Sequence, residues 1–437
     1  MKPATRFLPF LCFATLFGCN AEKVAAPEAT LSLNLSGRGG NPDCQISARD
    51  RGKKDDPLAL VCTIEIPGNA ITSAAKSWVD QVSGTYYLAH ASNAGVEMID
   101  IATHTWVGRV TGFVGAVGTG GGTATSNGAG PSSFTEGLPG QLWVSDGNSM
   151  LRLVDTRSGQ IVASVSTAIA ACDGGTETTH YCGRSNEIGY DPEHHIVLVS
   201  NPSPLTVSTP HVMTDPYATF VSARPPYAVL GHVTFPGAGN AEGHTWVPEL
   251  QRFLLPVQPT TATNATRGTM YIAVINPRTV EIEERRVYYC PDFGLPLSNT
   301  NNNLRLGRHH HLLAQTCGRP MIMDVRTGEV LNVVTQVGTG DQDWYNPGDD
   351  RFYVFGADAA TGVQSLGMID ARDGAWLQNV PLVRGAYPAA YVRTNEVFGR
   401  VQINAAIAAN PATDDTACEV KGRGCVAVFA HVGGHEE

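Results

Sequence analysis

The amino-acid sequence predicts an all-β protein folded as a seven-bladed β-propeller, with four antiparallel strands in each blade. Three observations lead to this fold class. A unit of three short strands recurs along the chain, a further short strand opens each unit, and a single strand before the first unit supplies the one that the last unit lacks. Repetition at a regular interval is a stronger indication of fold than any one element, and about seven units of four strands are typical of a propeller.

The repeating unit is clearest at residues 86–110, YYLAHASNAGVEMIDIATHTWVGRV. Runs of apolar, β-branched and aromatic residues bounded by polar turns predict three strands there. The same order recurs in six further units, at residues 141–165, 195–233, 252–287, 311–334, 351–380 and 396–432. Stretches such as KSWVDQVSG, NEIGYDPEH and DWYNPGDD each predict a further strand that opens a unit.

The seventh unit ends at residue 432 without its last strand. Residues 59–68, ALVCTIEIPG, predict an isolated strand before the first unit, and we expect this strand to complete the seventh blade. The N-terminal and C-terminal segments then share one sheet. Closure of the ring removes two exposed sheet edges that would favour aggregation.

An acidic or amide residue ends the middle strand in five units. These residues are Asp100, Asp155, Asn276, Asp324 and Asp370. Such side chains accept hydrogen bonds from backbone N–H groups two residues further on, which stabilises a tight turn. We interpret them as turn residues and not as catalysts.

Several stretches resemble a known bacterial family. They are YYLAHASNAGVEMIDIATHTWV, LWVSDGNSMLRLVDTRSGQIVASVST, IGYDPEHHIVLVSN and DWYNPGDDRFYV, together with the pair Cys290 and Cys317. With them the chain resembles the YVTN-type bacterial β-propellers, which are similar to surface-layer and quinoprotein amine dehydrogenase propellers. The resemblance covers most of residues 58–432. It implies the propeller fold but no single activity, because this class includes binding proteins, lyases and lactonases.

The N-terminus predicts export and a lipid anchor. Residues 1–18 contain basic residues followed by an apolar run, which is typical of a secretory signal peptide. The sequence LFGC resembles the lipobox of bacterial lipoproteins, in which Cys19 becomes the acylated first residue, and the Asn after it favours the outer membrane. Residues 19–57 are rich in Ala, Pro, Ser, Gly and Asn and predict a flexible tether. Residues 58–437 then form the propeller.

Composition limits the partners. The 437 residues are 42% hydrophobic and 16% charged, with 47 Gly and 27 Pro, which suits many short strands joined by turns. The formal net charge of −10 argues against nucleic acids and anionic membrane surfaces as partners. We expect a monomer that is held at the membrane by its lipid anchor only.

Cysteine usage agrees with an oxidising compartment. Of the ten cysteines, Cys12 lies in the signal and Cys19 carries the lipid, which leaves an even number of eight. The pairings that we expect are Cys172 with Cys182, Cys290 with Cys317, Cys418 with Cys425, and Cys44 with Cys62. A rival pairing joins Cys62 to Cys425, because both strands belong to the closing blade.

Carboxylates occur near the opening strands of five blades. They are Glu136, Glu187, Glu242, Asp292, and Asp341 with Asp343. Because the innermost strands of a propeller line its central channel, these residues predict an acidic channel mouth. Converging carboxylates can bind Ca²⁺ or Mg²⁺, which prefer oxygen ligands, or act as acid and base. The alternative is that they only bond backbone groups and hydrate the funnel.

An acidic channel mouth is consistent with two functions. In the first, the acidic mouth and the long loops bind a cationic small molecule, a saccharide or an envelope protein. In the second, a divalent metal held by Glu187, Glu242 and Asp343 assists a lactonase-like hydrolysis or a lyase reaction. His244 lies two residues after Glu242, on the same side of an extended segment, and would act with it as the catalytic base. We favour binding, because the sequence shows no complete catalytic set.

Overall fold

The computed structural model describes residues 44, 52–116, 129–169, 184–202, 215–259, 268–297 and 303–433. These residues form seven antiparallel sheets, so the predicted seven-bladed propeller of four-stranded blades is confirmed. In chain order the strands are β1 (Leu58–Glu65), β2 (Ser77–Asp80), β3 (Thr85–His90), β4 (Gly95–Asp100), β5 (Thr105–Thr111), β6 (Phe134–Glu136), β7 (Gln141–Asp146), β8 (Met150–Asp155), β9 (Gln160–Ser166), β10 (Ile188–Asp191), β11 (Ile196–Asn201), β12 (Tyr217–Ser222), β13 (Val229–Thr234), β14 (Ala238–Ala241), β15 (Thr245–Val247), β16 (Arg252–Pro259), β17 (Thr269–Asn276), β18 (Glu281–Tyr289), β19 (Asn303–Leu306), β20 (His311–Thr316), β21 (Arg319–Asp324), β22 (Val330–Val333), β23 (Asp343–Asn346), β24 (Arg351–Ala357), β25 (Gln364–Asp370), β26 (Trp376–Pro381), β27 (Gly385–Tyr391), β28 (Glu396–Val401) and β29 (Cys425–His431).

Blades 1 to 6 each follow the chain from the inner to the outer strand. Blade 1 is β2 to β5, blade 2 is β6 to β9, blade 3 is β10 to β13, blade 4 is β14 to β18, blade 5 is β19 to β22, and blade 6 is β23 to β26. Blade 4 departs slightly from the pattern, because β14 and β15 both pair with β16 as two pieces of its inner strand.

The seventh blade closes the ring as the sequence predicts. Its strand order is β27, β28, β29 and β1, so its outer strand comes from the N-terminal side of the chain. The pairing of β1 with β29 is antiparallel and runs from Leu58 opposite His431 to Glu65 opposite Cys425. Leu58, Val61 and Ile64 are buried in this blade. The closing strand is therefore part of the hydrophobic core.

The turn residues act as expected. Asp100 accepts a hydrogen bond from the backbone N–H of Thr103 at 2.8 Å, and Asp155 accepts one from Ser158 at 2.7 Å. Asn276, Asp324 and Asp370 accept equivalent bonds two residues further on, at 2.8 to 2.9 Å. These side chains satisfy backbone donors where the chain reverses between the third and fourth strands of a blade.

Apolar side chains fill the spaces between neighbouring blades. Between blades 3 and 4, for example, Leu198, Phe220, Phe253 and Leu255 are fully buried in one cluster, and the rings of Phe220 and Phe253 meet edge to face at 6.2 Å. Each blade thus packs a sheet face against the next blade. This arrangement gives a ring whose inner strands are fixed in position.

The two ends of the channel differ in the length of their connections. At one end, the inner strand of every blade joins the next strand through four residues, such as 81–84 in blade 1 and 392–395 in blade 7. We call this end the turn face. The opposite end, the long-loop face, carries the long connections, which span residues 66–76, 112–133, 167–187, 202–216, 260–268, 290–302, 334–342 and 402–424.

Three disulfides are present in the described residues. They join Cys44 to Cys62, Cys290 to Cys317, and Cys418 to Cys425. Cys62 therefore pairs with Cys44 and not with Cys425. The expected bond between Cys172 and Cys182 lies outside the described residues, as do the signal peptide and Cys19. The α-helix Ala405–Ala409 is short, and none of the helices among the described residues has the length and apolarity needed to cross a membrane.

Candidate binding site at the channel mouth

A buried lysine lies at the channel mouth, where the sequence predicts only acids. Lys76 immediately precedes β2 and is 3% exposed. Its Nζ atom lies 2.7 Å from Glu187 Oε1 and 3.1 Å from Asp341 Oδ1. Burial alone would lower the pKa of Lys76, but the two carboxylates raise it overall. Lys76 is therefore charged, and it links blade 1 to the segments that enter blades 3 and 6.

Asp341 is held by contacts from two further groups. The Tyr387 hydroxyl donates to Asp341 Oδ2 at 2.6 Å, and Asn303 Nδ2 donates to the backbone carbonyl at 2.8 Å. Burial would raise the pKa of Asp341, but Lys76 and Tyr387 lower it below the usual value. The Asp341 side chain is 39% exposed, so this ionised carboxylate can be reached from the long-loop face.

Glu242 lies in the same cluster, but the pKa of its carboxyl group is raised and not lowered. It is 8% exposed, and it accepts hydrogen bonds from Asn240 at 2.7 Å and from Asn186. Burial raises the pKa of Glu242, and the negative charge of Asp341 raises it further. Glu242 therefore binds a proton more readily than an exposed glutamate does.

Asp343 is buried beside an arginine of blade 5. Its Oδ1 atom lies 3.6 Å from Arg305 Nε, and the Arg305 guanidinium lies over the Trp344 ring at 5.3 Å. Burial raises the pKa of Asp343 to about 6, although the charge of Arg305 opposes this shift. The Arg305 side chain is 27% exposed, whereas the Asp343 side chain is fully buried.

The mouth contains cations as well as the expected acids. Glu187, Glu242, Asp341 and Asp343 lie near the cations Lys76, Arg184 and Arg305. The sequence contained a signal for one of these cations. Lys76 directly precedes an inner strand in blade 1, as Glu187 does in blade 3. A comparison of equivalent blade positions would therefore have found Lys76.

Two of the predicted acids lie away from this cluster. Glu136 is the exposed last residue of β6, and Asp80, the last residue of β2, contributes to raising the pKa of its carboxyl, after burial. Glu136 is thus nearer the turn face. Asp292 is exposed in the 3-10 turn Cys290–Phe293, directly after the outer strand of blade 4. Glu136 therefore lies on the expected inner strand but at its far end, whereas Asp292 follows an outer strand and not an inner one.

His244 faces the interface between blades 3 and 4 and not the mouth. Its Nε2 atom donates to the backbone carbonyl of Leu198 at 2.9 Å, and its ring meets Phe253 edge to face at 6.0 Å. The neighbouring strand packs so closely that a Cβ at Gly189 would lie 2.8 Å from His244 Cδ2. This corrects the prediction that His244 and Glu242 act together as a catalytic pair.

The metal site expected at Glu187, Glu242 and Asp343 is also corrected. Within the part of the chain that the structure describes, no three His, Cys, Asp or Glu side chains form a group that could hold a metal ion. The reason is physical, because Glu187 is neutralised by Lys76 and Asp343 is paired with Arg305. Side-chain cations thus pair with two of the three carboxylates that were expected to bind Ca²⁺ or Mg²⁺.

His244 gives the protein an acid-sensitive contribution to stability. Burial lowers its pKa from 6.5 to about 4. The His244 imidazole therefore binds a proton more readily in the unfolded chain than in the folded one. The contribution of His244 to the free energy of unfolding is therefore complete above pH 6.5 and is lost as the pH falls towards 4. Between pH 7.5 and pH 5 we expect about 2 kcal/mol of the free energy of unfolding to disappear through this residue.

Urea denaturation of the wild type and of His244→Gln at both pH values isolates this contribution. The difference in unfolding free energy between the two proteins should narrow by about 2 kcal/mol at pH 5. If the difference stays constant with pH, His244 is not held neutral by burial.

Comparison with known proteins supports the fold and leaves the function open. No protein-family model and no curated protein matches this chain. A chain in the crystal structure of the mitotic checkpoint complex is similar in fold, with a TM-score of 0.54 and 11% sequence identity over 96% of this chain and 99% of that one. At such low identity the similarity concerns the fold alone. Because 1486 chains of solved structures match, the architecture is widely shared and does not by itself select a function.

Proposed function

We propose that this protein is a binding module that takes a small polar ligand at the channel mouth on its long-loop face. One observation carries the proposal. All the long connections of the ring emerge at the end of the channel where Lys76, Glu187 and Asp341 meet, while the inner-strand turns at the other end have four residues each. Long loops on a rigid scaffold are where recognition usually takes place.

The side chains at the mouth suit binding better than catalysis. Asp341, Arg305 and Tyr387 are partly exposed there, and inner strands packed into the ring fix their positions. The expected catalytic base, His244, is buried between two blades. Among the described residues, the base and the metal ligands that the sequence suggested for a lactonase-like hydrolase or a lyase do not come together at the mouth.

We further propose that the module is an envelope lipoprotein of the YVTN type, anchored by Cys19 in the outer membrane and facing the periplasm or the exterior. The support is the signal-like N-terminus with its LFGC motif and the three disulfides, which suit an oxidising compartment. Incorporation of labelled palmitate into the wild type, and its loss in Cys19→Ser, tests the anchor. Labelling that persists in Cys19→Ser contradicts it.

The binding site is tested by ligand screening with matched variants. The soluble chain from Asn20 onward is screened against a library of small polar compounds by thermal shift, since a ligand that binds only the folded state raises the melting temperature. We expect compounds that stabilise the wild type to lose their effect in Asp341→Asn and to keep it in Glu193→Gln, which alters the turn face. Ligands that depend on Glu193, or a library with no mouth-dependent ligand, overturn the proposal.

A further inference from the structure

The outer strand of every blade contains a β-bulge. In blade 1, for example, Val107 has no opposite residue on β4, because the register shifts between Met98 and Ile99. A bulge bends its strand and interrupts the row of backbone groups along the edge, which hinders pairing with a further strand. The extra residues of the other six blades are Val162, Leu230, Glu283, Leu331, Leu377 and Val61.

β18, the outer strand of blade 4, nevertheless keeps a long regular edge. Six residues, Glu284–Tyr289, follow its bulge, whereas at most four regular residues follow the bulge in any other outer strand. Among the described residues, β18 pairs with β17 alone. Val287 is 65% exposed and Tyr289 is 40% exposed. An exposed, regular edge with apolar side chains is a template for pairing with another strand.

One hydrogen bond shows which backbone groups of β18 point away from the blade. Cys290 N donates at 2.8 Å to Gly268 O, which lies directly opposite in the β17–β18 register. Along antiparallel strands, residues that bond the partner strand alternate with residues whose N–H and C=O groups point away from it. The backbone groups of Arg285, Val287 and Tyr289 therefore point outwards and are placed to bond a further strand.

The outward residues of β18 complement a second copy of the same edge. When two antiparallel copies are related by a two-fold axis through Val287, the two valines lie opposite each other, and Arg285 of each copy lies opposite Tyr289 of the other. Arg285 already lies over the Tyr271 ring of its own blade at 5.6 Å, and the second face of its guanidinium would contact the tyrosine ring of the other copy.

Other symmetric registers of this edge fit less well. Registers centred on Glu284, Arg285 or Arg286 place two like charges directly opposite each other, which destabilises a strand pair. Registers centred on Tyr288 or Tyr289 pair no more than three residues of each regular edge, Glu284–Tyr289. The register centred on Val287 therefore combines the longest pairing with no opposition of like charges.

We propose that two copies of this chain pair edge to edge through β18, with Val287 on the two-fold axis, so that their blade 4 sheets become one continuous sheet. The outward backbone groups would form about six hydrogen bonds between the copies. So small an interface gives a weak dimer that depends on concentration, in place of the monomer that we expect from the sequence. The dimer does not depend on a ligand at the channel mouth.

Sedimentation velocity of the soluble chain from Asn20 onward, over a range of concentrations, tests the dimer. We expect a reversible equilibrium between monomer and dimer. Val287→Lys places two lysines opposite each other at the axis and should raise the dissociation constant about tenfold or more. Val162→Lys introduces the same change at a 59% exposed position on the outer strand of blade 2. It is the matched control and should leave the dissociation constant unchanged.

A mixing experiment tests the register. Val287→Lys and Val287→Glu should each associate poorly alone, but an equal mixture should associate more strongly than either, because opposite charges then lie opposite each other. A wild type that stays monomeric up to its solubility limit overturns the proposal. So does a dimer that Val287→Lys leaves intact, one that Val162→Lys weakens equally, or a mixture that associates no better than the separate variants.

Discussion

Lys76→Met is expected to lower the free energy of unfolding by about 3–5 kcal/mol, because it leaves the Glu187 and Asp341 carboxylates without their shared cation. The effect should exceed that of an ordinary lysine substitution, since Lys76 is 3% exposed and connects three blades across the mouth. Urea denaturation at pH 7 measures the loss. Lys54→Met, at an exposed position before β1, is the matched control and should change stability by less than about 0.5 kcal/mol.

A triple variant distinguishes charge imbalance from lost packing. In Lys76→Met, Glu187→Gln, Asp341→Asn, the lysine and the two carboxylates that it contacts are all replaced by neutral groups, so most of the lost stability should return. A triple variant that is no more stable than Lys76→Met would show that the lysine acts through packing. A loss below about 1 kcal/mol in the single variant would contradict its role as a buried link between blades.

Removal of β1 is expected to have the largest effect on folding. A chain beginning at Pro67 lacks the outer strand of blade 7 and the buried side chains of Leu58, Val61 and Ile64, each worth about 1.5–3 kcal/mol of burial. It also exposes the edge of β29. Calorimetry should show no cooperative unfolding transition for this chain. Size-exclusion chromatography should show that it aggregates.

A chain beginning at Cys44 is the control for this deletion. It keeps β1, the Cys44–Cys62 disulfide and the bond from Gly52 N to His431 O at 2.8 Å, and it should melt as the mature protein does. An oxidised peptide of residues 44–66, added to the chain from Pro67, should restore a cooperative transition by filling the open edge. A monomeric chain from Pro67 with an unchanged melting temperature would show that ring closure does not support the fold.

The fold could be predicted because its signals are local and repeated. Turn residues such as Asp100 and Asp370 accept hydrogen bonds from the backbone of their own turns, and each strand shows its apolar pattern within a few consecutive residues. The closing strand was also predictable, because the seventh unit lacks its last strand and residues 59–68 predict a strand that belongs to no other unit. Because the unit recurs along the chain, the same order of strands and turns could be recognised several times.

The candidate site was predicted in part. Glu187, Glu242, Asp341 and Asp343 do gather near one end of the channel, because equivalent blade positions become neighbours around a ring. Glu136 and His244 do not join them. Glu242 and His244 lie in the break between β14 and β15, where Gly243 has a φ of 77°, so the two-residue alternation of an extended strand does not hold and His244 enters the space between blades. Glu136 is the last residue of β6 and lies further along the channel.

The sequence by itself determined the blades, the closing strand, the turn chemistry and which acids precede inner strands, since each depends on residues close in the chain. Only the tertiary structure decided what those acids contact. Lys76 is 265 residues from Asp341 in sequence, and Trp78 and Trp344 meet across a blade that lies between them in the ring. The ion pairs of Lys76 and the contact between the two tryptophans depend on closure of the whole ring, which patterns of neighbouring residues cannot indicate.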